Sequence, residues 1–256
     1  MGELLFVGAG LSGVGGLGPA VLESLGAARA VFAEEFTALY PPGTLDALET
    51  ALRRPIVRLD RAAVEDGRAV LDALDGGGTV ALLVPGDPFA ATTHVALRVA
   101  AEGRGHAWRY LPHASVVSAV PGFLGLMGYR FGRPVSIPFP DPRFRPGSPF
   151  ERIGMNRSQG LHTLVLLDLA PAEGRFLSPG EAIRRLLDEP ASGVAAETPL
   201  GVAARVGTDT AAGWWGPAGR LAATEFGPPM HAVVVPAPTL HFEEEAAVAR
   251  FRGREP

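Results

Sequence analysis

The sequence predicts an α/β protein with a mainly parallel sheet in its N-terminal half and a mixed sheet in its C-terminal half. Three observations carry this. Short apolar strands alternate with helical segments from Glu3 to Leu111, the pattern of parallel strands joined by right-handed crossovers. Residues 79–84 are a continuous apolar run between Gly76-Gly77-Gly78 and Pro85-Gly86, too short for a helix and read as a strand buried on both faces. Beyond Pro134 the strand candidates are spaced more like hairpins, so the second sheet is expected to be mixed.

Taken in order, residues 3–7 form the first strand and run into Gly8-Ala-Gly10-Leu11-Ser-Gly13. Residues 19–28 then have helical character, with Pro19 acceptable in the first turn. Gly8-x-Gly10-x-x-Gly13 matches the dinucleotide fingerprint. Glu34, after a second strand at 30–33, stands where a ribose-binding acid would. With 33 glycines a chance match is easy, and the loop is long for a tight Rossmann turn. A helix is expected at 45–53, a strand at 56–59, and one amphipathic helix at 62–74 carrying Val64, Val70, Leu71 and Leu74 on its apolar face.

The strand at 79–84 follows. The chain then turns through Pro85-Gly86-Asp87-Pro88, with Thr92 or Thr93 placed to cap a helix over 94–104. Ligands of open α/β sheets collect outside the carboxyl ends of strands, and Asp87 stands at such an end. It is either the cap of a turn or a ligand contact. Residues 107–111 make a fifth strand.

The stretch from Pro112 to Pro121 reads as the passage between two domains, 1–112 and 113–256. Residues 134–139 are strand-like, and a loop passes through Pro140, Pro142, Pro146 and Pro149. A strong apolar strand at 163–169 and a helix at 179–187 come next. Strands are expected at 200–206, 220–224 and 232–235, and a terminal helix at 242–251. Arg130, Arg133, Arg143, Arg145, Arg152 and Arg157 gather positive charge around the proline-rich loop; the cluster is either a solvated face or a docking surface for an acidic partner.

Composition narrows the chemistry. The 256 residues, 47% of them hydrophobic, are enough to bury the core of one large or two small domains. With no cysteine, disulfides, thiolate metal sites and cysteine nucleophiles are excluded. All 23 basic residues are arginine, which removes a Schiff-base lysine and a Walker-type phosphate loop. The net charge of -4 gives no reason to expect nucleic acid as the main partner. No apolar run approaches the length of a membrane span, and the N-terminus has no basic region followed by a long apolar one, so the chain is read as cytoplasmic.

The six histidines, His94, His106, His113, His162, His231 and His241, form no close helical pair, so no metal site is expected. No Gly-x-Ser-x-Gly elbow occurs, and Ser115 has no assignable His/Asp partners. What remains is a ligand held mostly by backbone at several strand ends. Such a site suits a reaction whose reactive group arrives activated, as in methyl transfer from a sulfonium, where the protein mainly aligns. An NAD-linked oxidoreductase built on the first glycines, and a non-catalytic nucleotide-binding module, stay open as alternatives.

Several stretches carry a resemblance over nearly the whole length. They are Gly8-Ala-Gly10-Leu11, Phe32-Ala-Glu34-Glu-Phe-Thr37, Pro85-Gly-Asp-Pro88 with Ala91-Thr-Thr-His94, and His113-Ala-Ser115-Val116-Val-Ser118-Ala-Val120. Gly160-Leu-His-Thr-Leu-Val-Leu-Leu-Asp168 and Pro228-Pro-Met-His231-Ala-Val-Val-Val-Pro236 continue the series. With these the chain resembles the diphthine synthases, a family of the tetrapyrrole-methylase fold class. The resemblance implies two α/β domains with S-adenosylmethionine in the cleft between them, and a homodimer. It implies N-methylation, to the trimethyl form, of the 3-amino-3-carboxypropyl-modified histidine of translation elongation factor 2. Carried over residue by residue, it implies cofactor contacts from Leu11, Asp87, Ala90, Ser115, Val116, Leu167, Ala204 and His231. A corrin precursor or ribosomal RNA would be the acceptor of a near alternative with the same fold. No general base is identified; Asp87 and His231 are the candidates, from their placement at strand ends.

Overall fold

The computed structural model describes residues 1–141, 143 and 145–253. Two compact units emerge: Met1–Ser115 with Pro171–Glu173, and Val116–Ala170 with Gly174–Pro256.

The first unit runs β1 (Gly2–Gly8), α1 (Pro19–Ala27), β2 (Ala30–Glu34), α2 (Thr44–Leu52), β3 (Val57–Leu59), α3 (Arg61–Asp66), α4 (Arg68–Asp75), β4 (Gly78–Val84), α5 (Val95–Gly103) and β5 (Ala107–Leu111). Its sheet has the order β3-β2-β4-β1-β5, with every pairing parallel. Successive side chains of a strand point to opposite faces, and here both faces are covered. Leu4, Phe6, Val80 and Leu82 pack with Val64 of α3, Leu71 of α4 and Leu97 of α5. Leu5, Val7, Ala81 and Leu83 pack with Leu25 of α1 and Leu48 of α2. That double burial is why β1 and β4 read as unbroken apolar runs.

The second unit runs α6 (Val116–Leu124), β6 (Val135–Ile137), α7 (Ser148–Ser158), β7 (Thr163–Leu167), β8 (Leu169–Ala170), β9 (Arg175–Phe176), α8 (Pro179–Asp188), β10 (Pro199–Ala204), β11 (Ala212–Pro217), α9 (Ala218–Leu221), β12 (His231–Val235) and α10 (Phe242–Val248). Its main sheet, β11-β10-β12-β7-β6, is mixed: β6 and β7 are parallel and the other pairs antiparallel. Helix α8 starts on a capping box, the Ser178 hydroxyl accepting the Glu181 N–H while the Glu181 carboxylate accepts the Ser178 N–H, with Pro179 in the first turn.

Several local expectations are corrected. The helix expected over 62–74 is two helices, because Gly67 adopts φ 69° between them and ends α3 in the left-handed region. Neither Thr92 nor Thr93 caps α5; its N-cap residue is His94, and the Thr92 hydroxyl is spent on the Pro88 carbonyl. The stretch 112–121 is a passage only to Ser115, since α6 begins at Val116 and contains Pro121. In the proline-rich loop, Pro149 belongs to the first turn of α7, where its missing N–H costs nothing; Pro142 lies outside the described residues. The strand expected at 220–224 lies earlier, as β11, and Arg220 sits instead in α9.

Part of the arginine cluster is structural. Arg130 donates to the buried Glu244 carboxylate and, through Nη2, to the Thr239 carbonyl at 2.9 Å; Arg157 donates to the Pro236 carbonyl at 2.8 Å. Arg133, Arg143 and Arg145 are exposed. The apolar stretch from Val116 to Met127 goes largely to the core, with Val120, Leu124 and Leu126 buried in it.

Candidate active site

At the carboxyl ends of the first sheet, the loops after β1 and β4 are tied together. Gly10 N–H donates to the Gly86 carbonyl at 3.0 Å, and Gly86 N–H returns the bond at 2.9 Å. Both glycines have positive φ, 65° and 71°, which only glycine adopts without strain. A Cβ on Gly10 would lie 2.3 Å from His113 Nδ1, so this glycine makes room for an imidazole. His113 accepts the Ala114 N–H on Nδ1, at 2.8 Å, which places its proton on Nε2; that nitrogen donates to the Gly16 carbonyl at 3.0 Å.

Asp87 follows Gly86 and is nearly buried, at 9% exposure. Its Oδ1 accepts the Phe89 N–H at 2.9 Å, and its Oδ2 accepts the His113 N–H at 3.1 Å together with the Tyr110 hydroxyl. Burial and the adjoining carboxylate push Tyr110 up to about 12, so the phenol keeps its proton and serves as a donor. Asp87 thereby joins the ends of β4 and β5, and both of its oxygens are engaged.

Ala90, half-buried, closes the turn through its N–H to the Asp87 carbonyl at 3.3 Å. A Cβ on Gly86 would meet Ala114 O and Ser115 Cα at ordinary contact distance, 3.8 Å, so glycine is called for here by the positive φ and not by crowding. Leu11, directly after the Gly10 bridge, is half-buried. Leu11, Asp87, Ala90 and Ser115, which the family resemblance implied, therefore gather at the tied loops after β1 and β4.

In the second unit three further residues lie at one end of the sheet. Ala204, the last residue of β10, is paired across the ladder with His231, the first of β12. Leu166 pairs with Ala232, so Leu167 ends β7 at the same end. Ala204 is fully buried and Leu167 is 9% exposed. His231 Nε2 donates to the Phe226 carbonyl at 3.2 Å, leaving Nδ1 unprotonated. Burial pushes the His231 pKa below its ordinary value, Arg205 adds to that, and the Phe226 contact opposes it. Val116 opens α6.

The other histidines at strand and helix starts are structural. His162, fully buried, accepts the Ala237 N–H on Nδ1 and donates from Nε2 to Glu244 at 3.1 Å. His241 caps α10, accepting the Glu243 N–H. Glu34, the ribose-binding alternative, is fully buried and accepts from Phe36 N–H, Thr37 N–H and the Thr37 hydroxyl. It is spent on a turn. Gly10 serves His113, and the fingerprint thus has a packing explanation.

Sequence reading missed Tyr110 and His113 as supports of Asp87. Their signal was position alone: Tyr110 lies near the end of β5 and His113 just beyond it, at the same carboxyl end of the sheet as Asp87 and two strands away from β4.

Within the first unit, a ligand at the loops after β1 and β4 would be held by backbone and small side chains, which suits S-adenosylmethionine: Gly86 carries no side chain, and Leu11 and Ala90 are apolar. The class is reached from this geometry and from the match of residues 3–222 to the Tetrapyrrole (Corrin/Porphyrin) Methylases. The chain is 36% identical to a diphthine synthase of Methanospirillum hungatei, over 99% of each chain. It is 39% identical to that of Methanosphaerula palustris, over 98% of each. A solved structure of a diphthine synthase superposes with a TM-score of 0.88 at 32% identity, covering 98% of this chain and 96% of that one. The chain belongs to the diphthine synthase family of these methylases. It is an S-adenosylmethionine-dependent methyltransferase, and the oxidoreductase alternative falls.

Proposed function

We propose that this methyltransferase N-methylates the 3-amino-3-carboxypropyl-modified histidine of translation elongation factor 2, as far as the trimethyl form, in diphthamide biosynthesis. The observation that supports the reading best is the Gly10–Gly86 bridge, which sets the Gly86 backbone beside Ser115, at the carboxyl end of the strand whose turn carries Asp87. The full-length likeness to diphthine synthases supports this choice of acceptor.

In this reading Leu11, Asp87, Ala90, Ser115, Val116, Leu167, Ala204 and His231 contact the cofactor. S-adenosylmethionine, when bound, supplies a methyl group on a sulfonium with a neutral leaving group. The chain supplies alignment and exclusion of water, worth much of the barrier in a transfer between held reactants. Asp87, with both oxygens occupied, positions the turn. His231, with its proton held on Nε2 by Phe226, offers Nδ1 to take the proton that the acceptor amine must lose. The protein works in the cytoplasm as a homodimer, with neither nucleic acid nor membrane as a partner.

The test follows S-adenosylhomocysteine release with elongation factor 2 that carries the modified histidine, against the same factor lacking it. Release with the modified factor alone is expected. Equal release with both, or with neither while a corrin precursor or ribosomal RNA is methylated, would overturn the acceptor.

A further inference from the structure

We infer that His94 is a positioning residue for the Asp87–Ala90 turn, acting through the Pro88 carbonyl; the inference rests on the proposed role of that turn in cofactor binding. His94 is 2% exposed. Its Nδ1 lies 2.8 Å from the Pro88 carbonyl oxygen, which also accepts the Thr92 hydroxyl. A carbonyl accepts and cannot donate, so Nδ1 carries the proton. The other nitrogen, Nε2, is buried with no hydrogen-bond partner among the described residues. A side chain kept only for packing would not leave a buried ring nitrogen unmatched, because an unsatisfied polar atom is costly. Leucine or phenylalanine would fill the space without that cost. What histidine adds is the N–H at Nδ1.

The turn it holds is one that needs holding. Gly86 and Ala91, immediately before and after the turn, have φ 71° and 59°. Ala91 is not glycine, and a left-handed conformation there persists only when the surroundings impose it. Two donors on one carbonyl inside this bracket supply the constraint on one side, as the three donors to Asp87 do on the other. The ring is itself fixed, edge-on to Phe36 with centroids 6.3 Å apart. Phe36 is set by the turn that Glu34 caps. The stretch Phe32-Ala-Glu34-Glu-Phe-Thr37 and the stretch Ala91-Thr-Thr-His94 thus form one support, which orders a turn that neither belongs to.

The test is calorimetric binding of S-adenosylhomocysteine to the full chain, well below the melting temperature of every variant. His94→Phe keeps a ring against Phe36 and removes the donor; its Kd is expected to rise about tenfold, the scale of one lost hydrogen bond. His94→Asn restores an N–H near Nδ1 and is expected to bind within about threefold of the wild type. Thr92→Val removes the second donor at a less buried residue, and a rise of about threefold is expected; it serves as the measurement should His94→Phe fail to fold. Wild-type affinity in folded His94→Phe or in Thr92→Val would overturn the inference, and so would His94→Asn binding as weakly as His94→Phe. Failure of the wild-type chain itself to bind would strike the cofactor reading, and with it this one. A role confined to stability would lower the melting temperature and leave the affinities alone.

Discussion

Tyr110 donates its hydroxyl to Asp87 through Oδ2, the same carboxylate oxygen that accepts the backbone N–H of His113. One nearly buried carboxylate therefore fixes the ends of two neighbouring strand loops. Tyr110→Phe leaves Oδ2 with a single donor. A loss of about 1–2 kcal/mol is expected in urea unfolding, at the lower end for a hydrogen bond to a charged group because Tyr110 is only half-buried. S-adenosylhomocysteine binding should weaken in parallel, and unchanged affinity would show that the turn keeps its shape without the phenol.

Gly10→Ala combines a positive φ with a Cβ driven onto the His113 imidazole. The expected cost is about 2–4 kcal/mol, from left-handed strain and overpacking together. Adding His113→Ala removes the clash but not the strain. The double variant should be more stable than the sum of the single losses, a coupling that a double-mutant cycle measures. Strict additivity would mean that the glycine does not exist for the histidine.

The pH dependence of stability has a definite sign. Burial lowers the pKa of both His162 and His231 below the ordinary 6.5. Below about pH 6.5 the unfolded chain takes up protons that the folded one refuses, so stability is full above that value and falls as the pH drops. Glu244 adds a second, lower window. Burial alone would raise its pKa, but the N–H groups of His241 and Met127 and the His162 ring bring it below 4.5. Its contribution disappears as the pH falls through that lowered value. Urea midpoints at pH 8, 6 and 5 should decline, and His231→Phe should flatten the slope nearest pH 6.

His231 and Asp87 should separate kinetically. His231→Gln keeps a donor for the Phe226 carbonyl but removes a titrating nitrogen, and kcat is expected to fall by about a hundredfold, far more than cofactor affinity. Asp87→Asn should act mainly on cofactor affinity. Unchanged turnover in both at saturating cofactor would mean that neither takes the proton.

Much of this arrangement is legible in the sequence. Strands β1 and β4 announce themselves because both faces are buried and the glycine and proline bounds are sharp, whereas β5, exposed over residues 107–109, is marked by Gly105 before it and Pro112 after it. Asp87 was placed correctly at a strand end. Its supports were invisible, because the closeness of Tyr110 and His113 depends on β5 lying two strands from β4, with β1 between. Strand β11 was missed for a similar reason. Gly213 and Gly216 around Trp214-Trp215 look like turn residues, yet a Cβ on Gly213 would lie 2.7 Å from the Phe251 ring, and one on Gly216 2.5 Å from Arg220 Nη2. Gly213 is glycine because aromatic rings occupy the space, whereas at Gly216 the space is taken only by the end of the flexible Arg220 side chain. The pairing of Ala204 with His231 is a matter of ladder register, which local pattern does not determine. The break at Gly67 lay inside a hydrophobic periodicity that continues across it.

The central claim is the acceptor, and mass spectrometry of the modified-histidine peptide of elongation factor 2, after incubation with this protein and S-adenosylmethionine, tests it most directly. Successive gains of about 14 Da, up to three on that one peptide, are expected, one for each methyl group delivered by the cofactor. An unchanged peptide mass, with cofactor binding demonstrated in the same preparation, would contradict the account.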